Sequence, residues 1–156
     1  MNVFSLLTYH TVHTQLDVDD KFDAINALVD SLSTQLGGET LEKVREAVLE
    51  RERIMSTGVG KGLAIPHAKT PVLDTTYAAF ALLNEELDYD SLDGNPVRLI
   101  FLLVGPTDAN STHIKMLSRI SRLMNSTSFR ERLVACITVQ EVLDAFQDEE
   151  EKYFVA

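Results

Sequence analysis

The amino-acid sequence predicts an α/β fold built on a mixed sheet. Short apolar runs that read as strands are interspersed with stretches whose apolar residues recur every three or four positions, the period of a helix. Two apolar runs, Tyr77 to Leu83 and Val97 to Val104, are too close in sequence for a helical crossover, so part of the sheet pairs antiparallel. The 156 residues suit one compact domain, 1–156, with no repeat, low-complexity tract or linker to divide it.

In chain order, Val3 to Leu7 and Val12 to Leu16 are short and apolar enough for strands. Asp19 or Asp20 caps a helix whose stripe is Phe22, Ile25, Leu28, Val29, Leu32 and Leu36, and Gly37-Gly38 stops it. Thr40 opens a second helix, with Leu41, Val44 and Val48 on one face, running toward Arg51 and Arg53. A loop with three glycines, Thr57 to Gly62, leads into the short apolar run Leu63-Ala64-Ile65, which Pro66 halts. Asp93-Gly94 marks a turn before the buried strand Val97 to Val104, which Gly105-Pro106 ends. Ser111 or Thr112 caps a helix carrying Ile114, Leu117, Ile120, Leu123 and Met124. A short helix covers Phe129 to Cys136. Thr138 and Glu141 have capping-box spacing for a last helix from Val139 toward Phe146, and the acidic tail, about 148–156, reads as a frayed end.

Hydrophobic residues make up 45% of the chain and charged residues 24%, an ordinary soluble composition. No apolar run approaches the roughly 20 residues of a membrane span, and the N-terminus lacks the pattern of a secretory signal. The one cysteine, Cys136, excludes an internal disulfide and suits a reducing compartment, so the chain is placed in the cytoplasm. A formal net charge of −10 argues against a nucleic-acid binder and suits a basic protein partner better than a free anionic metabolite, but its plainer reading is that acidity keeps the protein soluble.

The most unusual segment is Gly58 to Lys69, where a glycine loop and an apolar run end in Pro66-His67. Proline fixes the backbone ahead of His67 and donates no ladder hydrogen bond, which sets the imidazole at the end of an element, at the surface, on a stiff base. A nucleophilic imidazole needs that setting, with one ring nitrogen open and the ring neutral near pH 7, and the plainer alternative is a surface histidine in a turn. The glycine loop is not a Walker motif, because Gly60-Lys61-Gly62 lacks the Gly-Lys-Ser/Thr that leads into a helix. Glu50-Arg51-Glu52-Arg53 is ordinarily a solvated helix end, and Arg51 gains interest only if its guanidinium faces His67. His113 falls in the first turn of a predicted helix, either solvent-facing or bonded to an anion at that helix N-terminus. His10 and His13 have no matching cysteines or carboxylates for a metal, Ser56 lacks a nucleophile elbow, and Cys136 reads as buried in a helix.

Arg51-Glu52 followed by Ser56-Thr57-Gly58-Val59-Gly60-Lys61-Gly62-Leu63-Ala64-Ile65-Pro66-His67-Ala68-Lys69 resembles the signature of enzyme IIA domains of the bacterial phosphotransferase system. The subgroup is the fructose/mannitol type, which includes the nitrogen-regulatory IIA proteins. The resemblance continues through Leu87 to Pro106, His113 to Ile120 and Phe129 to Leu133, and so covers nearly the whole chain. It implies a mixed sheet with helices on both faces. It also implies that His67 accepts a phosphoryl group, through Nε2, from the phosphocarrier HPr or its nitrogen-branch counterpart. By the same resemblance Arg51 binds the phosphoryl oxygens, His113 supports the phosphohistidine, and no metal or cofactor takes part. Two positions depart from the usual pattern. Lys61 stands where asparagine is common and adds positive charge near the site, and Thr112 stands where an acid often precedes the second histidine.

Two functions compete on this reading. A sugar-transport phosphocarrier passes the group to a cysteine on a IIB domain, whereas a regulatory binding protein of the nitrogen-IIA kind uses its phosphorylation state to choose a protein target. No fused IIB or membrane IIC segment is read in the chain, which tilts modestly toward regulation. A catalytically silent domain is disfavoured by the joint presence of Arg51, His67 and His113. Docking of a donor calls for an apolar patch beside His67, with Val59, Leu63 and Ile65 as candidates.

Overall fold

The computed structural model describes residues 2–153. The two central strands are β5 (Tyr77–Leu87) and β6 (Val97–Gly105), paired antiparallel as their short connection requires. β1 (Val12–Leu16) lies parallel to the outer edge of β5. Along the free edge of β6 run two short parallel strands, β3 (Leu63–Ala64) and β4 (His67–Lys69), and β2 (Gly58–Gly60) pairs antiparallel with β3. The glycine loop is therefore a tight hairpin on the sheet edge, and Gly60, Lys61 and Gly62 all take positive φ to turn it.

Alternation along the central strands divides the core in two. Phe80, Leu82, Leu99, Phe101 and Leu103 face one layer, formed by α3 (Asn110–Met124), α4 (Thr127–Val134) and α5 (Val139–Tyr153). Ala79, Ala81, Leu83, Ile100, Leu102 and Val104 face the other, formed by α1 (Lys21–Ser31) and α2 (Gly38–Ile54). Helices thus cover both faces of a mixed sheet. Edge-to-face contacts of Phe80, Phe101 and Phe129 with Phe146 consolidate the first layer.

Several expected boundaries move for identifiable reasons. Asp20 is the N-cap of α1, its carboxylate accepting from the Asp23 N–H at 2.8 Å. The helix ends at Ser31 and passes into a 3-10 turn at Leu32–Thr34, so Gly37 and Gly38 do not stop it. They open α2 instead: Gly37 is its extended N-cap and Gly38 its first residue, ahead of the expected Thr40. Neither Ser111 nor Thr112 caps α3, whose N-cap is Ala109 with no side-chain bond. Ser126 caps α4, which starts before Phe129 and ends before Cys136. The Thr138–Glu141 capping box forms, and α5 continues well past Phe146.

Val3 to Leu7 is not a strand but holds a 3-10 turn, Phe4–Leu6. The reason lies at the other end of the chain. Glu150 is buried on α5, and its carboxylate accepts from the N–H groups of Val3 at 2.6 Å and Phe4 at 2.7 Å. Val3 is thereby pinned in the core. The tail continues as helix to Tyr153 rather than fraying, with Glu149 and Glu150 buried and residues 151–153 exposed; residues 154–156 lie outside the described residues. Replacing Glu150 by Ala orphans two N–H groups and is expected to cost about 2–3 kcal/mol of stability, read as a lower urea midpoint.

Candidate functional site

The site grows from the break between β3 and β4. Register places Leu63 beside Leu99 and His67 beside Leu103, so residues 62, 64, 66 and 68 turn their backbone groups toward β6. Pro66 falls in this set: its carbonyl accepts from the Leu103 N–H at 3.0 Å, and it has no N–H to offer the ladder. Ile65 falls in the other set, so its backbone groups point off the outer edge. Its N–H donates to the Thr57 carbonyl at 3.0 Å, and its carbonyl accepts from Nδ1–H of His67 at 2.7 Å.

That last bond fixes the tautomer of the neutral ring. A carbonyl only accepts, so the proton stands on Nδ1 and Nε2 keeps its lone pair. Burial pushes the His67 pKa below its ordinary value, aided by Arg51 and Lys69 and opposed by the Ile65 bond and Glu52, so the ring is neutral at pH 7.

His67 opens into a cleft of about 590 Å³ at the edge of the sheet. α2 contributes Arg51 and Ile54, β4 contributes Lys69, and the first turns of α3 contribute Asn110, His113 and Ile114. The resting Arg51 guanidinium donates to the Met55 carbonyl at 2.8 Å, closing the C-terminal end of its own helix. Lys69 Nζ donates to the Asn110 side-chain oxygen. The ring centroids of His67 and His113 are 5.8 Å apart.

His113 is not solvent-facing. It is 4% exposed, and neither ring nitrogen has a hydrogen-bond partner among the described residues. Burial, with His67 and Lys69 adding to it, lowers its pKa to about 4. A buried imidazole with unused donor and acceptor capacity beside a helix N-terminus can complete its bonding on an anion in the cleft.

Arg51, His67 and His113 thus come together, and other residues do not join them. His13 lies on β1, separated from β4 by β5 and β6. Ser56 donates to the Tyr89 carbonyl, and Cys136 is buried just beyond α4. Lys61 does not bring charge to the site: its Nζ bonds to Asn125 at the far end of α3, about 18 Å along the helix from His113. Thr112 borders a separate groove with Lys115 and Arg119. Leu63 and Ile65 are buried, and Val59 is exposed but does not line the cleft. The apolar rim is Ile54, 76% exposed, and Ile114, 55% exposed.

Sequence reasoning missed Glu52. It is no part of a solvated helix end but is 2% exposed, bonded to Thr57, Tyr89 and Lys21. The signal was present in the spacing, since Leu41, Val44, Val48 and Glu52 form one buried stripe of α2.

Comparison with known proteins agrees with this architecture. A family model described as "Phosphoenolpyruvate-dependent sugar phosphotransferase system, EIIA 2" matches residues 5–149. The chain is 35% identical over 144 residues to the PTS system fructose-specific EIIABC component of Bacillus subtilis, covering 92% of this chain and 23% of that protein. It is likewise 35% identical over 142 residues to the nitrogen regulatory protein of Bradyrhizobium diazoefficiens, covering 91% of this chain and 92% of the relative. The crystal structure of nitrogen regulatory protein IIA-Ntr from Neisseria meningitidis superposes with a TM-score of 0.84 at 28% identity, covering 92% of this chain and 98% of that one. With the mixed sheet, the two helical layers and a match spanning nearly its whole length, the chain belongs to the EIIA 2 family of the phosphoenolpyruvate-dependent sugar phosphotransferase system.

Proposed function

We propose that the protein is a cytoplasmic phosphocarrier that accepts a phosphoryl group on Nε2 of His67 from HPr or a nitrogen-branch HPr. The observation that carries the reading is the Nδ1–H bond to the Ile65 carbonyl, which leaves Nε2 as the nucleophilic atom in a cleft bearing Arg51 and His113, whose ring has no partner among the described residues. In the transfer, the Nε2 lone pair forms the new N–P bond while the N–P bond of the donor breaks and its electron pair returns to the donor imidazole. The His67 ring keeps its Nδ1 proton, and the Ile65 carbonyl steadies the positive charge the ring takes on. Arg51 leaves the Met55 carbonyl for the stronger, charge-assisted bonds of the phosphoryl oxygens. His113 donates one ring N–H to the same group. Such chemistry is chiefly positioning and charge stabilisation.

Onward transfer to a IIB-domain cysteine and phosphorylation-dependent binding of a regulatory target both start from this acceptor step. Equal identity to a fructose EIIABC component and to a nitrogen regulatory protein supports keeping both fates. Transfer of label to isolated IIB domains marks the first; partner capture that changes with phosphorylation, without such transfer, marks the second.

Incubation with phosphoenolpyruvate, enzyme I and HPr is expected to add one acid-labile phosphoryl group to the wild type, read by intact mass, and none to a folded His67→Ala variant. Labelling of that variant overturns the assignment. Arg51→Ala is expected to slow acceptance about 10²-fold with a thermal midpoint near that of the wild type, and an unchanged rate removes Arg51 from the mechanism.

In imidazole NMR His67 is expected to titrate below its ordinary value and His113 near pH 4. Because His113 binds its proton less readily when folded, the unfolded chain takes up more protons below about pH 6.5. The stability it contributes is complete above that pH and is lost toward pH 4. A His113→Gln variant is expected to lose urea resistance less steeply over that interval.

A further inference from the structure

Glu52 sits one residue after Arg51 with its carboxylate enclosed by donors. One oxygen accepts from the Thr57 hydroxyl and from the Tyr89 hydroxyl at 3.1 Å, and the other from the Thr57 N–H at 2.8 Å and Lys21 Nζ at 3.4 Å. A buried carboxylate is retained only when it is so satisfied. Burial and the neighbouring Glu52 charge push the Tyr89 hydroxyl above its ordinary range, which keeps it a donor. The network ties the end of α2 to the start of α1, the residue before β2 and the residue two beyond β5.

Thr57 is where this network meets the phosphoryl site. Glu52 holds Thr57 by both its N–H and its hydroxyl. The Thr57 carbonyl holds the Ile65 N–H at 3.0 Å, and the Ile65 carbonyl holds Nδ1–H of His67 at 2.7 Å. Between Glu52 and Thr57 lies Met55, whose carbonyl holds the Arg51 guanidinium. The coupling runs through residues rather than along one amide, so it transmits position.

We propose that Glu52 is a positioning residue for the phosphoryl site, clamping Thr57 so that the Ile65 carbonyl sets the His67 tautomer and the Met55 carbonyl sets the resting place of Arg51. The proposal rests on His67 being the acceptor, but its first readout does not. Glu52→Gln presents an amide N–H2 where two donors now converge, and Thr57→Val removes the hydroxyl while keeping the N–H. Tyr89→Phe removes a donor to the same carboxylate and the Tyr89 hydroxyl's contact with the Thr57 hydroxyl at 3.2 Å but keeps both Glu52–Thr57 bonds, so it controls for lost stability.

Imidazole nitrogen NMR well below the melting temperature reads the tautomer directly. The wild type and Tyr89→Phe are expected to show a single Nδ1–H form of His67, and Glu52→Gln and Thr57→Val a mixture with the Nε2–H form. Single-turnover transfer from phosphorylated HPr is expected to slow about 10- to 100-fold in Glu52→Gln and Thr57→Val, with the half-saturating HPr concentration unchanged and Tyr89→Phe near the wild-type rate. Folded Glu52→Gln and Thr57→Val that keep the single Nδ1–H form overturn the proposal, however much their melting points fall. A wild type that takes no label while its variants lose the tautomer leaves the clamp standing and removes the phosphocarrier reading instead.

Discussion

The site depends on which way the backbone groups of Ile65 face. Parallel pairing with β6 turns the groups of alternate residues inward, and the inward position between β3 and β4 is occupied by Pro66, which has nothing to donate. The outward position is Ile65, and its two polar groups face the α2–β2 connection and the His67 ring. A shift of register by one residue would exchange those roles and leave the imidazole without its carbonyl. The proline and the histidine therefore do complementary things. One ends a ladder at the edge of the sheet, and the other uses the peptide geometry that this ending exposes.

The second constraint is charge. The cleft holds Arg51 and Lys69 beside two imidazoles, in a chain whose formal net charge is −10. Both cations disfavour protonation of His67 and help keep its ring neutral, while Glu52 pulls the other way from inside the core. Arg51 rests on a carbonyl at the C-terminal end of α2, a position that the helix dipole favours and that one neutral acceptor holds weakly. An incoming dianion offers paired, charge-assisted bonds in its place. The cation is thus held ready without being locked, and the neutral His113 beside it brings hydrogen-bonding capacity with no further positive charge.

Much of this was legible in the sequence. Helical stripes and continuous apolar runs located β1, β5, β6 and most of the helices, because tertiary burial there follows local periodicity. What failed was set by partners far away along the chain. Val3 to Leu7 has strand-like composition, but Glu150 claims its N–H groups. Gly37-Gly38 reads as a helix stop because glycine more often ends helices, yet an extended Gly37 opens α2. Glu52 looked solvated because it belongs to an alternating charged run, although its spacing from Val48 put it on the buried stripe. Lys61 seemed close to His67 because few residues separate them, but the hairpin carries it to the opposite end of α3.

The same geometry separates chemistry from recognition. His113 and Glu52 are enclosed and His67 is partly so, whereas Ile54 and Ile114 project from the cleft rim at 76% and 55% exposure. Substituting a buried group changes the interior of the cleft, whereas substituting a rim residue changes what can seat over it. On the proposed function, the donor nitrogen would have to approach Nε2 of His67 closely and in line, so the donor would rest on that rim while the transfer lasts. Delivery of the group to a transporter and its use as a signal would both, on the same proposal, draw on Arg51, His67 and His113. On that proposal, the exposed apolar and charged border of the cleft is where complementarity of shape and charge would select a partner.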